Sequence, residues 1–503
     1  MRTSIAKPSR LASLRAALVA FLVALSALSA TAFEMRLEDD RIWLQARNLE
    51  LLDLMERFAH LGVEVEMDPT ISDRINARVT AANLEATLTD LLSDYAYVLI
   101  WDVLEGPLGR MSRLAGIRLF RPGQSEAAET IFAEQDQFRV ARAGDGSGLE
   151  FIADEIIIGF VPGSNPHAVR RLIHEIGGTI VEGLPELGIY RIRLPPGTNI
   201  LALNERLNRN PLVAVSEPNY VYRLPDLPSG DRRLAAEVGM ARSPVSGASP
   251  IAVLDSGITL IEGLERFVVG GYNALQPDRD PTDTAGHGTQ MALIASGAVV
   301  PHGAADGDGM PVLAIRSFDD AGVTSNFAMM RSILHAASEG AGVLNMSWGS
   351  TVNSEFMAST IGAAQENDLI VVAAAGNDGQ GVPMYPAAYD GVVAVGAALP
   401  DGQPWPMSNY GDHILIAAPG QASFPVGYGG EPGAYAGTSI ASAHAAHALG
   451  RYRAEHPAAT ADEAVAALIR AVEAEEEEAG RDPFLGHGVL TPAALERYLR
   501  HNP

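Results

Sequence analysis

The sequence predicts an α/β fold, built on a mostly parallel sheet with helices on both faces and preceded by two small α+β modules. From residue 251 onward, short apolar runs alternate with longer helical patterns, which is typical of parallel strands buried on both faces. Before residue 225, two shorter stretches mix strand-like alternation with amphipathic helical spacing. The length of 503 residues exceeds what one hydrophobic core usually serves, so we expect several domains.

Six apolar runs predict the larger sheet. A run of small apolar residues at 440–449 adds a buried helix. Ligands and catalytic groups of such sheets lie at the carboxyl ends of strands, and both Asp255 and Asn377 follow predicted strands. The strands are expected at 251–254, 311–315, 342–346, 369–375, 392–397 and 413–418, and further helices at 325–339, 355–367 and 461–474.

The two smaller modules occupy residues 33–120 and 149–224. Residues 121–148 read as a polar linker between them, and residues 225–248, rich in Pro, Gly, Ser and Arg, as a loop. In the first module we expect strands at 41–46, 63–67 and 76–79 and helices at 49–61 and 84–95; in the second, strands at 154–161, 188–194 and 213–222 and helices at 166–176 and 201–208.

Composition excludes several classes of function. The formal net charge of -25 argues against a nucleic-acid partner, because a phosphate backbone needs a basic surface. It argues equally against binding to anionic lipid surfaces. The chain has no cysteine, so disulfides, thiolate metal sites and a cysteine nucleophile are ruled out.

The first 32 residues have the pattern of a secretory signal peptide. Basic residues at positions 2, 7, 10 and 15 precede an apolar run at 16–30, and Ala30-Thr31-Ala32 fits the small-residue cleavage pattern. The alternative is an uncleaved anchor helix, although the run is shorter than the ~20 residues of a membrane span. We therefore expect an exported protein, periplasmic or extracellular.

Three short stretches carry the residue types of nucleophilic catalysis. Ser439 follows Gly437-Thr438 at a predicted turn into a helix, where its hydroxyl serves either as a nucleophile or as an ordinary helix cap. His287 stands between two glycines, and Asp255 ends an apolar run; a loop histidine and a turn former are the plain alternatives. A serine needs a base to take its proton, and the histidine needs a carboxylate to orient it, so the three types belong together.

These stretches resemble the motifs of the subtilisin-like serine proteases, the subtilases, over residues 249–499. The order Asp255, His287, Ser439 is also that of subtilisin. The matching motifs are Asp255-Ser-Gly, Gly-His287-Gly-Thr, Gly-Thr-Ser439-Ile-Ala, Val371-Val-Ala-Ala-Ala-Gly-Asn377, Asn345-Met-Ser-Trp-Gly349, Ser408-Asn-Tyr-Gly411, Ala417-Ala-Pro-Gly420 and Gly486-His-Gly-Val-Leu490.

The resemblance implies a subtilisin-like sheet and peptide-bond hydrolysis through an acyl-enzyme. Ser439 would attack the carbonyl, His287 would move the proton and Asp255 would orient His287. Asn377 and the Ser439 N–H would bind the oxyanion. The chemistry requires no cofactor and takes polypeptide substrates, whose extended backbone would pair with Ser347, Trp348 and Gly349; Trp348 lines a side-chain pocket or belongs to the core.

Two further features bear on this resemblance. Subtilases often bind calcium, and the loop carboxylates are either calcium ligands or plain solvated acids. Gln290 and Ala443 replace a histidine and a proline that the family usually has, and both positions belong to elements that aim catalytic groups, where a small displacement lowers activity. The carboxylates concerned are Asp278, Asp280, Asp283, Asp306 and Asp308.

The two small modules resemble different families. Residues 149–224, including Glu217-Pro-Asn-Tyr220, are similar to the inhibitor-like propeptide of subtilases, which implies that the segment assists folding, inhibits the protease and is cut off within 225–248; Arg232-Arg233 is one option for that cut. Residues 33–120, with Ala46-Arg-Asn-Leu49 and Leu84-Glu-Ala-Thr-Leu88, resemble the short N-terminal domain of secretins and TonB-dependent receptors. That implies an envelope partner; an unrelated α+β spacer is the alternative.

The sequence as a whole favours a secreted, self-processing serine endopeptidase. Two other hypotheses stay open. In the first, the chain is a catalytically weak relative that acts as an envelope binding protein. In the second, it is a dedicated processing protease that the first module brings to an envelope assembly.

Overall fold

A computed structural model describes residues 33–500 except for 39–40, 61–62, 107–108, 125–126, 131–137, 145, 185–186, 226–242, 278, 427–431 and 476–480. The expected signal at 1–32, the Arg232-Arg233 pair and Asp278 lie outside the described residues. The chain divides into two compact units, one of residues 1–134 with 162–181 and one of residues 135–161 with 182–503. No helix within the described ranges is long and apolar enough to cross a membrane.

The first unit contains two small sheets, with strand orders β1-β2-β4 and β5-β6-β3-β7. Its core includes the buried side chains of Leu44, Phe58 and Leu88. The elements are β1 (Phe33–Glu38), β2 (Arg41–Glu50), α1 (Leu51–His60), β3 (Glu64–Met67), β4 (Arg74–Asn83), α2 (Leu84–Leu91), β5 (Ala96–Gly106), β6 (Gly109–Phe120) and β7 (Glu129–Thr130), with α3 (Pro166–Glu175) and the start of β10 (Thr179–Leu184) also assigned to this unit.

The β5–β6 hairpin is absent from the sequence prediction, which ends the first module with a helix. The signal was present, because residues 97–101 form an apolar run rich in aromatic and β-branched residues and a Gly-Pro-Leu-Gly segment at 106–109 interrupts the pattern. The hairpin pairs in antiparallel register from Ala96 and Phe120 to Gly106 and Gly109, with one irregularity between Ile100 and Trp101.

The second unit begins with an antiparallel sheet. Strands β11 and β12 flank β9, and β8 pairs with the first residues of β9. The strand β8 lies in the stretch predicted as a linker. The end of β12 continues beyond this sheet and pairs with β16 through Val221–Arg223. The elements are β8 (Val140–Arg142), β9 (Glu150–Phe160), β11 (Ile189–Arg193), α4 (Ile200–Leu207) and β12 (Val213–Arg223).

The main sheet of this unit has seven parallel strands in the order β14-β15-β13-β17-β18-β19-β20, which confirms the predicted α/β fold. The six predicted strands are present, and β14 is an addition that the glycines at 270 and 271 hid from the apolar pattern. The strands are β13 (Ile251–Asp255), β14 (Val268–Asn273), β15 (Val312–Arg316), β16 (Val323–Ser325), β17 (Val343–Met346), β18 (Ile370–Ala374), β19 (Val393–Ala398), β20 (Ile416–Pro419), β21 (Gln421–Phe424) and β22 (Gly433–Ala436).

One helix of this unit is buried on nearly every side. It is α8, which packs against α5 and against the strands at the centre of the sheet. Its many small residues allow close approach: a Cβ on Gly450 would lie 3.0 Å from the Ile251 side chain. The helices are α5 (His287–Ala295), α6 (Asn326–Ser338), α7 (Glu355–Glu366), α8 (Thr438–Glu455), α9 (Ala461–Glu473) and α10 (Pro492–Arg500).

Two histidines of α8, His444 and His447, lie inside the core at 3% and 5% exposure. Burial, helped by the charges of His447 and Arg451, lowers the pKa of His444 to about 3. Burial also lowers the pKa of His447 to about 4, against the opposing effect of Asp306 and Asp308. Both therefore remain neutral in the folded state well below the pH at which they gain protons in the unfolded chain.

We predict acid-sensitive stability from these two histidines. Their folded pKa values lie below the ordinary value near 6.5, so the unfolded state binds up to two more protons between about pH 6 and pH 4. The free energy of unfolding should fall by about 1.4 kcal/mol per pH unit for each histidine as the pH drops through that window.

Denaturant titrations across the window measure this slope. His444→Gln and His447→Gln should each reduce the slope by the amount that corresponds to about one bound proton. The exposed His167→Gln is the control for the substitution itself. An unchanged slope in both buried variants would contradict the prediction.

Candidate active site

Asp255 and His287 meet inside the second unit. Asp255 is the last residue of β13, and His287 opens α5 after Gly286, which takes a left-handed conformation with φ of 92°. His287 Nδ1 lies 2.7 Å from Asp255 Oδ1, and both residues are fully buried. The backbone N–H of Ser256 also donates to Asp255 Oδ1 at 2.8 Å. The carboxylate is thus fixed where it can hold the Nδ1–H tautomer of the imidazole.

The turn after Asp255 packs tightly on the helix of His287. A Cβ on Gly288 would lie 2.3 Å from the carbonyl oxygen of Gly257, so only glycine fits there. The N–H of Gly288 donates to the hydroxyl of Ser256 at 2.8 Å. The two motifs therefore hold each other through backbone contact as well as through the Asp255–His287 hydrogen bond.

Asp283 is neither a solvated acid nor an open metal ligand. Its Oδ1 accepts the N–H of Ala285 and of Gly286, and its Oδ2 accepts the N–H and the hydroxyl of Thr289, at 2.6 to 3.0 Å. It is 7% exposed and caps the start of the helix that carries His287. This role as a helix cap is neither of the two interpretations offered in the sequence analysis, a calcium ligand or a solvated acid.

Ser439 is the second residue of α8 and is fully buried. Its hydroxyl donates to the carbonyl oxygen of Ser347 at 3.0 Å. The hydroxyl of Ser347 donates back to the carbonyl oxygen of Ser439 at 3.1 Å and accepts a hydrogen bond from Asn345 at 2.8 Å. The hydroxyl of Ser347 is therefore occupied by hydrogen bonds to Asn345 and to the start of α8.

Asn377 follows β18 and turns its amide toward the start of α8. Its Oδ1 accepts the N–H of Thr438 at 3.0 Å and the hydroxyl of Thr438 at 2.9 Å. The same hydroxyl accepts the N–H of Gly376 at 3.1 Å. Because Oδ1 is taken, Nδ2 is the free end of the amide: it is buried and has no hydrogen-bond partner among the described residues. A donor held ready in this way suits a developing negative charge on a nearby oxygen.

Trp348 is 1% exposed and lies in the core, not on an open surface. Its ring packs 5.0 Å from that of Tyr222 and 6.0 Å from that of Phe318. The hydroxyl of Tyr222 donates to Asn326 Oδ1 at 3.1 Å. Next to it, a Cβ on Gly349 would meet Met384 at 3.4 Å. The end of β12 therefore covers the strand end that the sequence assigned to substrate.

Comparisons with known proteins identify the family. Residues 247–488 match the model of the Subtilase family. A thermophilic serine proteinase of Bacillus sp. (strain AK1) is 30% identical over 310 residues, which cover 59% of this chain and 77% of that protein. Thermitase of Thermoactinomyces vulgaris is 32% identical over 225 residues, covering 44% of this chain and 80% of thermitase. The chain belongs to the subtilase family.

Residues 139–219 match the model of the fervidolysin N-terminal prodomain, so the prediction of a propeptide is confirmed together with that of the protease family. This subtilase is a serine endopeptidase made as a proprotein. Crystal structures support the fold: fervidolysin from Fervidobacterium pennivorans superposes with a TM-score of 0.59 at 20% identity, covering 73% of this chain and 63% of fervidolysin.

The subtilase keeps regular helices at the two positions where its sequence departs from the family. Gln290 is fully buried in α5 and donates to the carbonyl oxygen of Val426 at 3.1 Å. Ala443 is fully buried within α8, which runs without interruption from Thr438 to Glu455. Neither substitution breaks the helix that carries a candidate catalytic residue.

The Glu217-Pro-Asn-Tyr220 segment caps two helices, a contact that sequence reasoning missed. Glu217 accepts the N–H of Glu355 at 2.6 Å and the hydroxyl of Ser354 at 2.5 Å, at the start of α7. Asn219 Oδ1 accepts the N–H of Phe327 at 3.1 Å, at the start of α6. Burial raises the pKa of Glu217. The motif thus supplies acceptors to backbone donors that a helix leaves unsatisfied at its start.

Ion pairs join β9 and β11 to α6 beside these caps. Glu155 contacts Arg191 at 3.1 Å and Arg193 at 2.8 Å, and Glu182 bridges Arg191 and Arg331. Burial by itself disfavours the charge of Glu155, but Arg191 and Arg193 outweigh it and lower its pKa to about 2. The carboxylate stays ionised, which suits buried charges that are fully paired.

We predict that Asn377 and Thr438 act together in catalysis. Asn377→Ala should lower kcat roughly 10²–10³-fold, the range found when such a donor is removed from subtilisin. Thr438→Ala should lower kcat less, because it removes one of the two hydrogen bonds that hold Asn377 Oδ1 and leaves the Thr438 N–H and the amide itself in place.

Steady-state kinetics on one peptide substrate test the pair. Thr438→Ser, which retains the hydroxyl, should keep kcat close to the wild-type value. Equal losses of kcat in Thr438→Ser and Thr438→Ala would contradict the role of the Thr438 hydroxyl. An unchanged kcat in Asn377→Ala would exclude Asn377 from the mechanism.

Proposed function

We propose that the chain is an exported, self-processing endopeptidase with Ser439 as nucleophile, His287 as general base and Asp255 as its orienting carboxylate. The observation that carries the proposal is the buried 2.7 Å contact between His287 Nδ1 and Asp255 Oδ1. It is joined by the free Nδ2 of Asn377, which lies beside the Thr438–Ser439 start of α8.

In the proposed reaction, the Ser439 hydroxyl leaves the Ser347 carbonyl and gives its proton to His287 Nε2 as Oγ attacks the substrate carbonyl carbon. The carbonyl oxygen becomes negative and accepts hydrogen bonds from Asn377 Nδ2 and the Ser439 N–H. Asp255 stabilises the imidazolium through Nδ1–H. His287 then protonates the leaving amine, and water releases the acyl group by the reverse steps. The chain's own side chains and backbone supply this chemistry without a cofactor.

The substrate is proposed to be an extended polypeptide that pairs with Ser347, Trp348 and Gly349 through their backbone. Support comes from the Ser347 carbonyl, which already accepts a hydrogen bond from Ser439. The Ser347 side chain takes no part, because it binds the start of α8. The ring of Trp348 becomes available to substrate only after Tyr222 has left it.

The segment 149–224 is proposed to act as an intramolecular inhibitor. Its last strand pairs with β16, and the N–H of Leu224 donates to the carbonyl oxygen of Gly322 at 2.9 Å. Tyr222 of the same strand packs 5.0 Å from the ring of Trp348, just after β17. We therefore propose that the chain covers the end of β17 before maturation and is cut within 225–248. The proposed division of the chain is a signal at 1–32, a module at 33–120, a linker at 121–148, the propeptide at 149–224 and the protease at 249–503.

Export and calcium are further parts of the proposal. The basic and apolar leader at 1–32 supports passage to the periplasm or the exterior, and one relative is named as the minor extracellular protease Epr of Bacillus subtilis (strain 168), at 31% identity over 48% of this chain and 37% of Epr. For a structural calcium ion, the candidate carboxylates that remain are Asp280, Asp306 and Asp308. The described residues contain no group of three or more ligand side chains.

We predict that the full chain without residues 1–32 loses its propeptide over time, whereas Ser439→Ala does not. Intact mass spectrometry follows the loss and gives the bond that is cut. Loss in both proteins would mean that another protease cuts the chain, and loss in neither would favour the weak relative that acts by binding. In either case, reaction of Ser439 with a serine-directed phosphonate would show whether this serine is reactive.

The first module is proposed to bring the enzyme to an envelope protein, as its resemblance to the secretin and TonB-receptor domain implies. One observation favours this second function: β5 is an edge strand of its sheet, with Val98 and Ile100 exposed at 45% and 43%. Such an edge accepts an added strand from a partner unless charges or proline block it.

We predict that full-length Ser439→Ala captures an envelope protein and that adding Val98→Lys and Ile100→Lys abolishes the capture. Charged side chains on the edge oppose strand addition. Arg78→Lys on β4, whose outward side chains are polar, is the matched control. Capture that survives the two lysines would exclude β5, and no capture at all would favour the spacer alternative.

A further inference from the structure

Asn409 contacts the segment that carries Asn377 at three points. It lies on the loop between β19 and β20 and is 1% exposed. Its backbone N–H donates to the carbonyl oxygen of Gly376 at 2.9 Å. Its side-chain Oδ1 accepts the N–H of Asp378 and the N–H of Gln380, each at 3.0 Å. One residue therefore holds the backbone before and after Asn377.

The contact is close and anchored. Gly376 has a φ of 105°, and a Cβ at that position would lie 2.3 Å from Asn409 Nδ2, so the amide packs directly against the glycine. Asn409 is tied in turn to the sheet: the hydroxyl of Ser408 donates to the Asn409 carbonyl oxygen and accepts the N–H of Ala397 in β19, both at 3.1 Å. The 376–380 segment is thus linked to β19 of the main sheet.

Two neighbouring loop contacts add to this link. The N–H of Gly379 donates to the carbonyl oxygen of Met407 at 2.9 Å, and the N–H of Tyr410 donates to that of Gln380 at 3.1 Å. These are backbone contacts that any residue provides. Among the residues that the structure describes, only Asn409 contributes a side-chain acceptor that reaches two N–H groups of the segment on the far side of Asn377.

We infer that Asn409 is a positioning residue for the oxyanion donor: it fixes residues 376–380 so that Asn377 Nδ2 points at the reacting carbonyl oxygen. Thr438 and Asn409 then have different tasks. Thr438 sets which end of the Asn377 amide is free, and Asn409 sets where the backbone of Asn377 stands. The inference rests on the proposed role of Asn377.

The effect of losing Asn409 should fall on kcat. An oxyanion donor acts on charge that develops in the transition state, so displacing it leaves ground-state binding nearly intact. A displacement of ~1 Å costs about 10²-fold in rate. We therefore expect Asn409→Ala to lower kcat about 10- to 100-fold and to leave KM within about twofold.

A double-mutant cycle on the full chain tests the inference. Wild type, Asn409→Ala, Asn377→Ala and the double variant are matured by a trace of immobilised wild-type enzyme, which is removed before assay. Initial rates are measured on one quenched fluorescent peptide that the wild type cleaves. If Asn409 acts through Asn377, Asn409→Ala should lower kcat by less than about twofold in the Asn377→Ala background.

Two controls keep a folding defect apart from a positioning defect. Thr360→Ala removes another fully buried hydrogen-bonding side chain, one that binds the Phe356 carbonyl within α7, and should lower Tm without changing kcat. Asn409→Ser, which keeps a short acceptor, serves if Asn409→Ala does not fold, and should give an intermediate kcat.

The outcomes separate the inference from the proposed function. A wild type without peptidase activity, or an Asn377→Ala variant with unchanged kcat, would overturn the proposed role of Asn377. If Asn377→Ala lowers kcat while Asn409→Ala changes only Tm, or if the two losses multiply in the double variant, Asn409 is structural and the inference fails.

Discussion

The burial of α8 in the centre of the second unit is the constraint on which the site depends. The helix is buried on nearly every side and packs against α5 and against β17, β18, β19 and β20. A helix without a solvent-facing side belongs in the interior. Its small residues permit this packing, as the contact between Gly450 and Ile251 illustrates. At its start, Thr438 and Ser439 lie where they bind Asn377 and Ser347.

The prodomain is tied to the protease by polar groups that complete helix ends. The first N–H groups of a helix have no partner within it, and Glu217 and Asn219 supply acceptors for α7 and α6. A protease that folds alone must leave those donors to water and to its own caps, Ser325 and Ser354. The segment thus offers the helices of the protease a preformed set of acceptors.

Much of this fold was predictable because its strands are short apolar runs that are buried on both faces. The Asp255–His287 contact was predictable from motifs whose residue types only make sense together. The hidden strand β14 shows the limit, since Gly270 and Gly271 erase the apolar pattern while the neighbouring strand β15 still pairs with the backbone. The surroundings of Asp283 and of Trp348 show a second limit of prediction from sequence. The hydrogen bonds of Asp283 depend on a turn that directs four donor groups to one carboxylate. The burial of Trp348 depends on Tyr222, which lies over a hundred residues away in the sequence.

The end of β17 connects the prodomain to Ser439, the proposed nucleophile. The carbonyl of Ser347 holds the Ser439 hydroxyl, while the next residue, Trp348, lies under Tyr222 of β12. In the proposed mechanism, an arriving substrate needs this same edge for its backbone, and the Ser439 hydroxyl leaves the Ser347 carbonyl for His287. Departure of the prodomain would then uncover Trp348 at the strand end where Ser439 changes its hydrogen bond. The proposed oxyanion donor, by contrast, keeps Thr438 on its amide and Asn409 on its flanking backbone.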